Sequence, residues 1–115
     1  MGHKRVQKTD LRLRVSSVRA KDRVTVPVVG EVDSATLPRL RAELDTAVAS
    51  GAPSIEVDFR RVEFCDCSGL TALLDARARA LRAGSYFCVR GPVAPVVARL
   101  FQLTKTGPSL LKRAA

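Results

Sequence analysis

Apolar and polar residues recur along this chain with two different periods. Leu11, Leu13 and Val15 alternate with Arg12 and Arg14, the two-residue period of a half-buried strand, and Val24 to Val29 forms a second extended run. The polar stretch Arg19 to Arg23 lies between them, so the two runs predict a hairpin. Pro27 removes one ladder donor from the second run, which predicts an edge or an irregularity at that point. The period then lengthens. Leu37, Leu40, Leu44 and Val48 are spaced for one face of a helix, with Asp33, Ser34 or Thr36 available as its cap and Gly51 as its stop. Ile55 to Phe59 reads as a strand, and Leu70, Leu73, Leu74, Ala78 and Leu81 predict a second helix ended at Gly84. Tyr86 to Val89 follows as a buried strand. Val93, Val96, Val97, Leu100 and Phe101 give a third helical stripe, with Pro92 and Pro95 where a helix start tolerates them.

Strands alternating with helices require right-handed crossovers. The expected fold is therefore α/β: a single domain with a mixed, mostly parallel sheet of about four to five strands, an antiparallel hairpin at its beginning and helices packed against it. In such sheets the loops after the carboxyl ends of the strands gather function. Glu31-Val32-Asp33 and Cys65-Asp66-Cys67-Ser68 both fall on loops of that kind, so two separated stretches are expected to meet at one end of the domain.

The second stretch is the most informative. In Phe64-Cys65-Asp66-Cys67-Ser68-Gly69-Leu70 an apolar run stops in a small, hydroxyl-bearing turn and a helical pattern begins. A serine at that junction is either an N-cap for orphan backbone N–H groups or an exposed hydroxyl that a kinase could modify. Together with Val29-Gly30-Glu31-Val32-Asp33 upstream, the turn resembles that of the STAS domain, the fold shared by anti-sigma factor antagonists and the cytoplasmic tails of sulphate transporters. In antagonists the turn reads Asp-Ser-Ser-Gly-Leu and its second serine is phosphorylated by the anti-sigma factor. The resemblance runs from about Asp10 to Leu111, which implies a STAS-like domain over 10–111 between a basic tail at 1–9 and a short one at 112–115. It implies Ser68 as the phosphoacceptor, Asp66 as the residue orienting the loop or its hydroxyl, Gly69 as the gap admitting a kinase's nucleotide, and Asp33 and Ser34 as part of the recognition surface. The implied partners are an anti-sigma factor serine kinase and a phosphatase, and the implied role is regulation of transcription in a bacterium by binding, with no enzymatic activity. Two departures stand out. Cys67 occupies the place of the family's first serine, and Thr104-Lys105-Thr106-Gly107 replaces a tighter turn before a final helix that is either short or leaves an apolar patch open.

Composition narrows the alternatives. The net charge of +9 suggests a nucleic-acid binder until it is divided: Lys4, Arg5, Lys8 and Lys105, Lys112, Arg113 stand in end segments without acids, leaving 14 basic against 11 acidic residues between 10 and 104. With no Trp, one Tyr and four Phe there is little to stack bases, so no specific nucleic-acid partner is expected. Arg12, Arg14, Arg19, Lys21 and Arg23 read as a solvated strand face. No apolar run reaches the roughly 20 residues that span a bilayer, so no membrane insertion and a cytoplasmic location are expected. His3 is the only histidine and lies in the basic tail, so no Ser–His or Cys–His pair can form in the core. Cys65, Cys67 and Cys88 lack zinc spacing and read as two buried apolar residues and a serine-sized filler, leaving no cofactor or metal expected and partner binding indifferent to oxidation. Two other readings stay open at this point: a phosphorylation-independent STAS scaffold or soluble transporter subunit, and a polyanion binder working through its basic tails.

Overall fold

Strands and helices alternate through the computed structural model, which describes residues 12–112; the tail at 1–9, Asp10, Leu11 and residues 113–115 lie outside the described residues. The elements are β1 (Leu13–Val15), β2 (Val18–Ala20), β3 (Arg23–Val32), α1 (Leu37–Ala49), β4 (Ser54–Cys65), α2 (Cys67–Arg82), β5 (Tyr86–Arg90), α3 (Pro95–Thr104) and α4 (Gly107–Leu110). The sheet has five strands in the order β1-β3-β4-β5, with β2 also pairing with β3. β3, β4 and β5 are parallel, and β1 and β2 run antiparallel to β3. This is the mixed α/β sheet that the alternating periods predict.

The hairpin departs from expectation in two ways. Its turn is only Lys21 and Asp22, with Lys21 at φ 53°, because Arg19 and Ala20 already pair with Val24 and Arg23. The outer strand is also broken at Ser16 and Ser17, so β1 and β2 follow one another along the same edge of β3. Pro27 stands on a strand paired on both sides, which rules out the edge. The irregularity is real: the outer strand breaks at Ser16 and Ser17 opposite Pro27, whose carbonyl accepts from the Ser16 N–H at 3.4 Å, so the missing donor faces that break, and the register against β4 shifts just after it with the extra residue on β4.

Alternation along the strands separates two faces. Val24, Val26 and Val28 of β3 and Ile55, Val57 and Phe59 of β4 are buried in one cluster with Leu40 and Leu44 of α1, Leu73 of α2 and Val97 and Phe101 of α3. Fully burying each of the larger side chains contributes about 1.5–3 kcal/mol. The other face bears Arg14, Val18, Tyr86 and Phe64, all exposed. Glu56 belongs to that face, since it pairs with Thr25 and Cys88, yet it is only 2% exposed. Its carboxylate accepts from Arg23 at 3.4 Å and from Lys112 at 3.0 Å, with Arg90 at 4.0 Å.

Lys112 is therefore tied into the domain instead of beginning a tail. Leu111 bridges to Val89, and the Lys112 N–H donates to the Val89 carbonyl at 2.8 Å. The last helix is a single turn, of the two outcomes considered the short one, and its Leu110 is fully buried.

Gly30 fixes where the chain enters the sheet. It has φ +116°, and a Cβ there would stand 2.0 Å from the Arg12 carbonyl oxygen. Gly30→Ala is expected to destabilise the domain by about 2 kcal/mol or more through combined strain and overlap, read as a lower urea midpoint at unchanged m-value.

Candidate functional site

β3 and β4 end level with one another, Val32 opposite Cys65, and the chain leaves both strands on the same end of the sheet. Asp66 N–H donates to the Val32 carbonyl at 3.1 Å, which places the Asp66 turn beside Asp33, the next residue of the other loop. The two stretches singled out in the sequence are thus neighbours.

Asp66, not Ser68, caps the helix. Its backbone is extended, its Oδ1 accepts from the Gly69 N–H at 3.1 Å, and α2 starts at Cys67. Ser68 is one position further in, at N2, and its hydroxyl donates to the same Oδ1 at 2.6 Å. A carboxylate accepts two short bonds at a helix N-terminus more favourably than a hydroxyl accepts one, since it also meets the positive end of the helix dipole. The serine is left half-buried with its oxygen lone pairs unclaimed by the helix. Cys67 at N1 is exposed.

Gly69 has a packing task in the fold. Its missing side chain points inward: a Cβ would come within 2.6 Å of Val32 Cγ1 and 2.7 Å of Cys65 Sγ. The glycine lets α2 seat directly on the ends of β3 and β4. Cys65 is buried there, and burial pushes its thiol up to about 12, so it is inert as a nucleophile; Cys88 is buried as well.

On the neighbouring loop, Asp33 Oδ1 accepts from the N–H groups of Ala35 and Thr36 at 2.9 and 3.1 Å. Thr36 holds the N-cap position of α1 without a side-chain cap bond; its hydroxyl donates to the Glu31 carbonyl at 2.9 Å and accepts from the Asp33 N–H at 3.0 Å. Of the three candidates for that cap, Asp33 organises the turn, Thr36 locks it and Ser34 stays exposed. Arg12 completes the loop by donating to Asp33 Oδ2 at 2.6 Å and to Glu31 Oε1 at 3.2 Å. Arg12 was expected on a solvated strand face. The hairpin register could have found it, because Leu13 opposite Gly30 sets Arg12 opposite Glu31.

Residues 15–111 match the family model described as "Mlab, STAS domain", and the chain belongs to the STAS domain family. Among solved structures, an anti-sigma factor antagonist from Mycobacterium paratuberculosis is similar at a TM-score of 0.74 and 24% identity, over 85% of this chain and 82% of that one. The anti-sigma factor antagonist SpoIIAA in its unphosphorylated form is similar at 0.71 and 23% identity, over 89% and 88%. The phosphorylated form of the Bacillus protein gives 0.65 at 23% identity, over 89% and 91%. At these identities the likeness is one of fold. No curated protein matches the sequence. No helix among the described residues is long and apolar enough to cross a membrane.

Hydrogen bonds from Arg12 above all, and then from Thr36 and Ala35, hold the Asp33 carboxyl below the usual carboxylate range. A folded-state pKa depressed in this way contributes stability that is present above the unfolded value of about 3.9 and lost as pH falls through the lower folded value. Asp33→Asn is therefore expected to shallow the acid limb of stability below about pH 4, where the unfolded carboxyl protonates, and this is measured as urea midpoints across a pH series.

Proposed function

We propose that this chain is a phosphorylation-controlled binding module of the anti-sigma factor antagonist type. Its unmodified Ser68 lies in the contact surface for an anti-sigma factor with serine kinase activity, and docking there frees a sigma factor. Phosphorylation of Ser68 ends the docking and a phosphatase restores it. The protein itself catalyses nothing in this scheme; it works in the cytoplasm as a substrate and a ligand. The observation that carries this reading is the Ser68 hydroxyl, half-buried at N2 of a 16-residue helix and held at 2.6 Å by the carboxylate that caps that helix. Asp66 fixes the rotamer of the hydroxyl, so a kinase meets one Oγ position.

The same arrangement supports the off state. A phosphate adds about −1.5 to −2 charge and converts Oγ from a donor into an ester oxygen, so Asp66 loses its bond and gains a like charge beside it. The helix N-terminus favours the anion locally, which keeps the domain folded. A partner surface complementary to a neutral hydroxyl then faces a dianion. A loss of about 3 kcal/mol at the interface is roughly a hundredfold in affinity. Asp33, Ser34 and Cys67 belong to the recognised surface in this reading, with Gly69 setting the helix against the sheet.

Incubation with ATP and each purified candidate anti-sigma kinase of the same genome, followed by intact-mass analysis and peptide mapping, is expected to give one phosphate, on Ser68. Ser68→Asp is expected to keep the fold and lose the partner by roughly a hundredfold, while Ser68→Ala binds constitutively. Tight binding that none of these changes alters would move the chain to the phosphorylation-independent scaffold.

A further inference from the structure

The helices pack on one face of the sheet, and the other face is exposed at the end beside the Ser68 loop. Phe64, two residues before the cap, pairs with Glu31 on β3 and alternates with the buried Cys65, so its ring lies on the exposed face; it is 41% exposed. One row further from the loop, Val29 of β3 stands between Arg14 of β1 and Arg61 of β4. Next to it a depression of about 430 Å³ is lined by Val29, Arg60, Arg61, Val62, Glu63 and Ala94.

Most charges on this face are already matched. Glu31 takes Arg12, Asp58 takes Arg60 in two bonds, and Glu56 takes Arg23 and Lys112. Arg14 and Arg61 have no ion pair or hydrogen bond among the described residues, against one similarly free carboxylate at Glu63. An exposed aromatic ring one row from Val29 and two unpaired arginines has the make-up of a protein-binding hot spot with a polar rim.

We propose that this face is part of the anti-sigma kinase's footprint: Phe64 anchors an apolar side chain of the kinase, and Arg14 and Arg61 meet carboxylates on the same kinase segment. The inference rests on the proposed kinase partner and extends its contact from the loop onto the sheet. Charge selects this occupant. Among the described residues of this face the charges left without an ion pair are two arginines, Arg14 and Arg61, against one carboxylate, Glu63, a balance that complements an acidic protein segment.

The test is titration calorimetry of the purified full chain with the anti-sigma kinase that binds it, at low and high salt. Phe64→Ala and Arg61→Glu are each expected to weaken binding at least tenfold with an unchanged thermal midpoint, and Arg61→Glu also to flatten the salt dependence. Both variants binding within twofold of the wild type, while Ser68→Asp still abolishes binding, overturns this surface and leaves the switch standing. A wild-type chain that binds no candidate kinase overturns the partner reading itself, and this surface with it. Retention on a DNA duplex that Arg61→Glu abolishes, with kinase binding untouched, also overturns the proposal and gives the face to nucleic acid. Arg61 is an exposed strand residue, so its variant stays informative should Phe64→Ala lower stability.

Discussion

The site depends on one contact, the seat of α2 on the level ends of β3 and β4. Val32 and Cys65 stand opposite one another, Gly69 lies against both, and Asp66 bonds back to Val32 through its N–H while capping the helix with its carboxylate. Remove the glycine and the helix must lift by the width of a methyl group. The hydroxyl of Ser68 would then keep its bond to Asp66 but change its position relative to the Asp33 loop. A parallel pair ending in register, closed by a capped helix, is what converts two stretches separated by 32 residues or so into one surface.

Around that contact, charge is arranged to hold shape. Asp33 is occupied by Arg12 and by two backbone N–H groups, so it acts first as the lock of its own turn. Any partner that recognises this loop meets a cluster in which Arg12 offsets one of the two carboxylates of Glu31 and Asp33, more than a free carboxylate. The Ser68 hydroxyl itself carries no charge. Introducing a phosphate thus changes the local charge by more than any other single event at this end of the domain, and the fold does not need to move for the partner to sense it.

The strands, the three longer helices and the meeting of the two loops were legible because each rests on periodicity or on turn chemistry, both local properties. Leu40 and Leu44, or Ile55 and Val57, announce their buried faces by spacing alone. What escaped notice depends on register or on choice between neighbours. Ser68 and Asp66 are both good caps, and only the geometry of the turn decides that the carboxylate takes the N–H of Gly69 while the serine donates to it. Arg12 is hidden for the same reason, since its partners are 19 and 21 residues away and follow only once the hairpin is aligned. Pro27 signals an irregularity but not its kind, because an edge and a gap in the neighbouring strand accommodate a missing donor equally well.

Glu56 explains how the other end of the sheet leaves this one free. A buried carboxylate costs several kcal/mol unless it is matched, and here the match comes from β3 through Arg23, from β5 through Arg90 and from the carboxyl-terminal segment through Lys112. The three cations come from segments far apart in the chain, so the cluster forms only when the sheet is assembled and the segment after α4 has closed against β5. A pair of this kind adds little net stability over an apolar substitute, but breaking it by removing one partner leaves charge stranded in the core. Its effect is to specify the arrangement: Lys112 draws the chain past Val89, and the carboxyl-terminal segment closes against β5. With this charge cluster set away from the loops, the carboxyl ends of β3 and β4 present a serine, a cysteine and an exposed phenylalanine around the packed seat of α2.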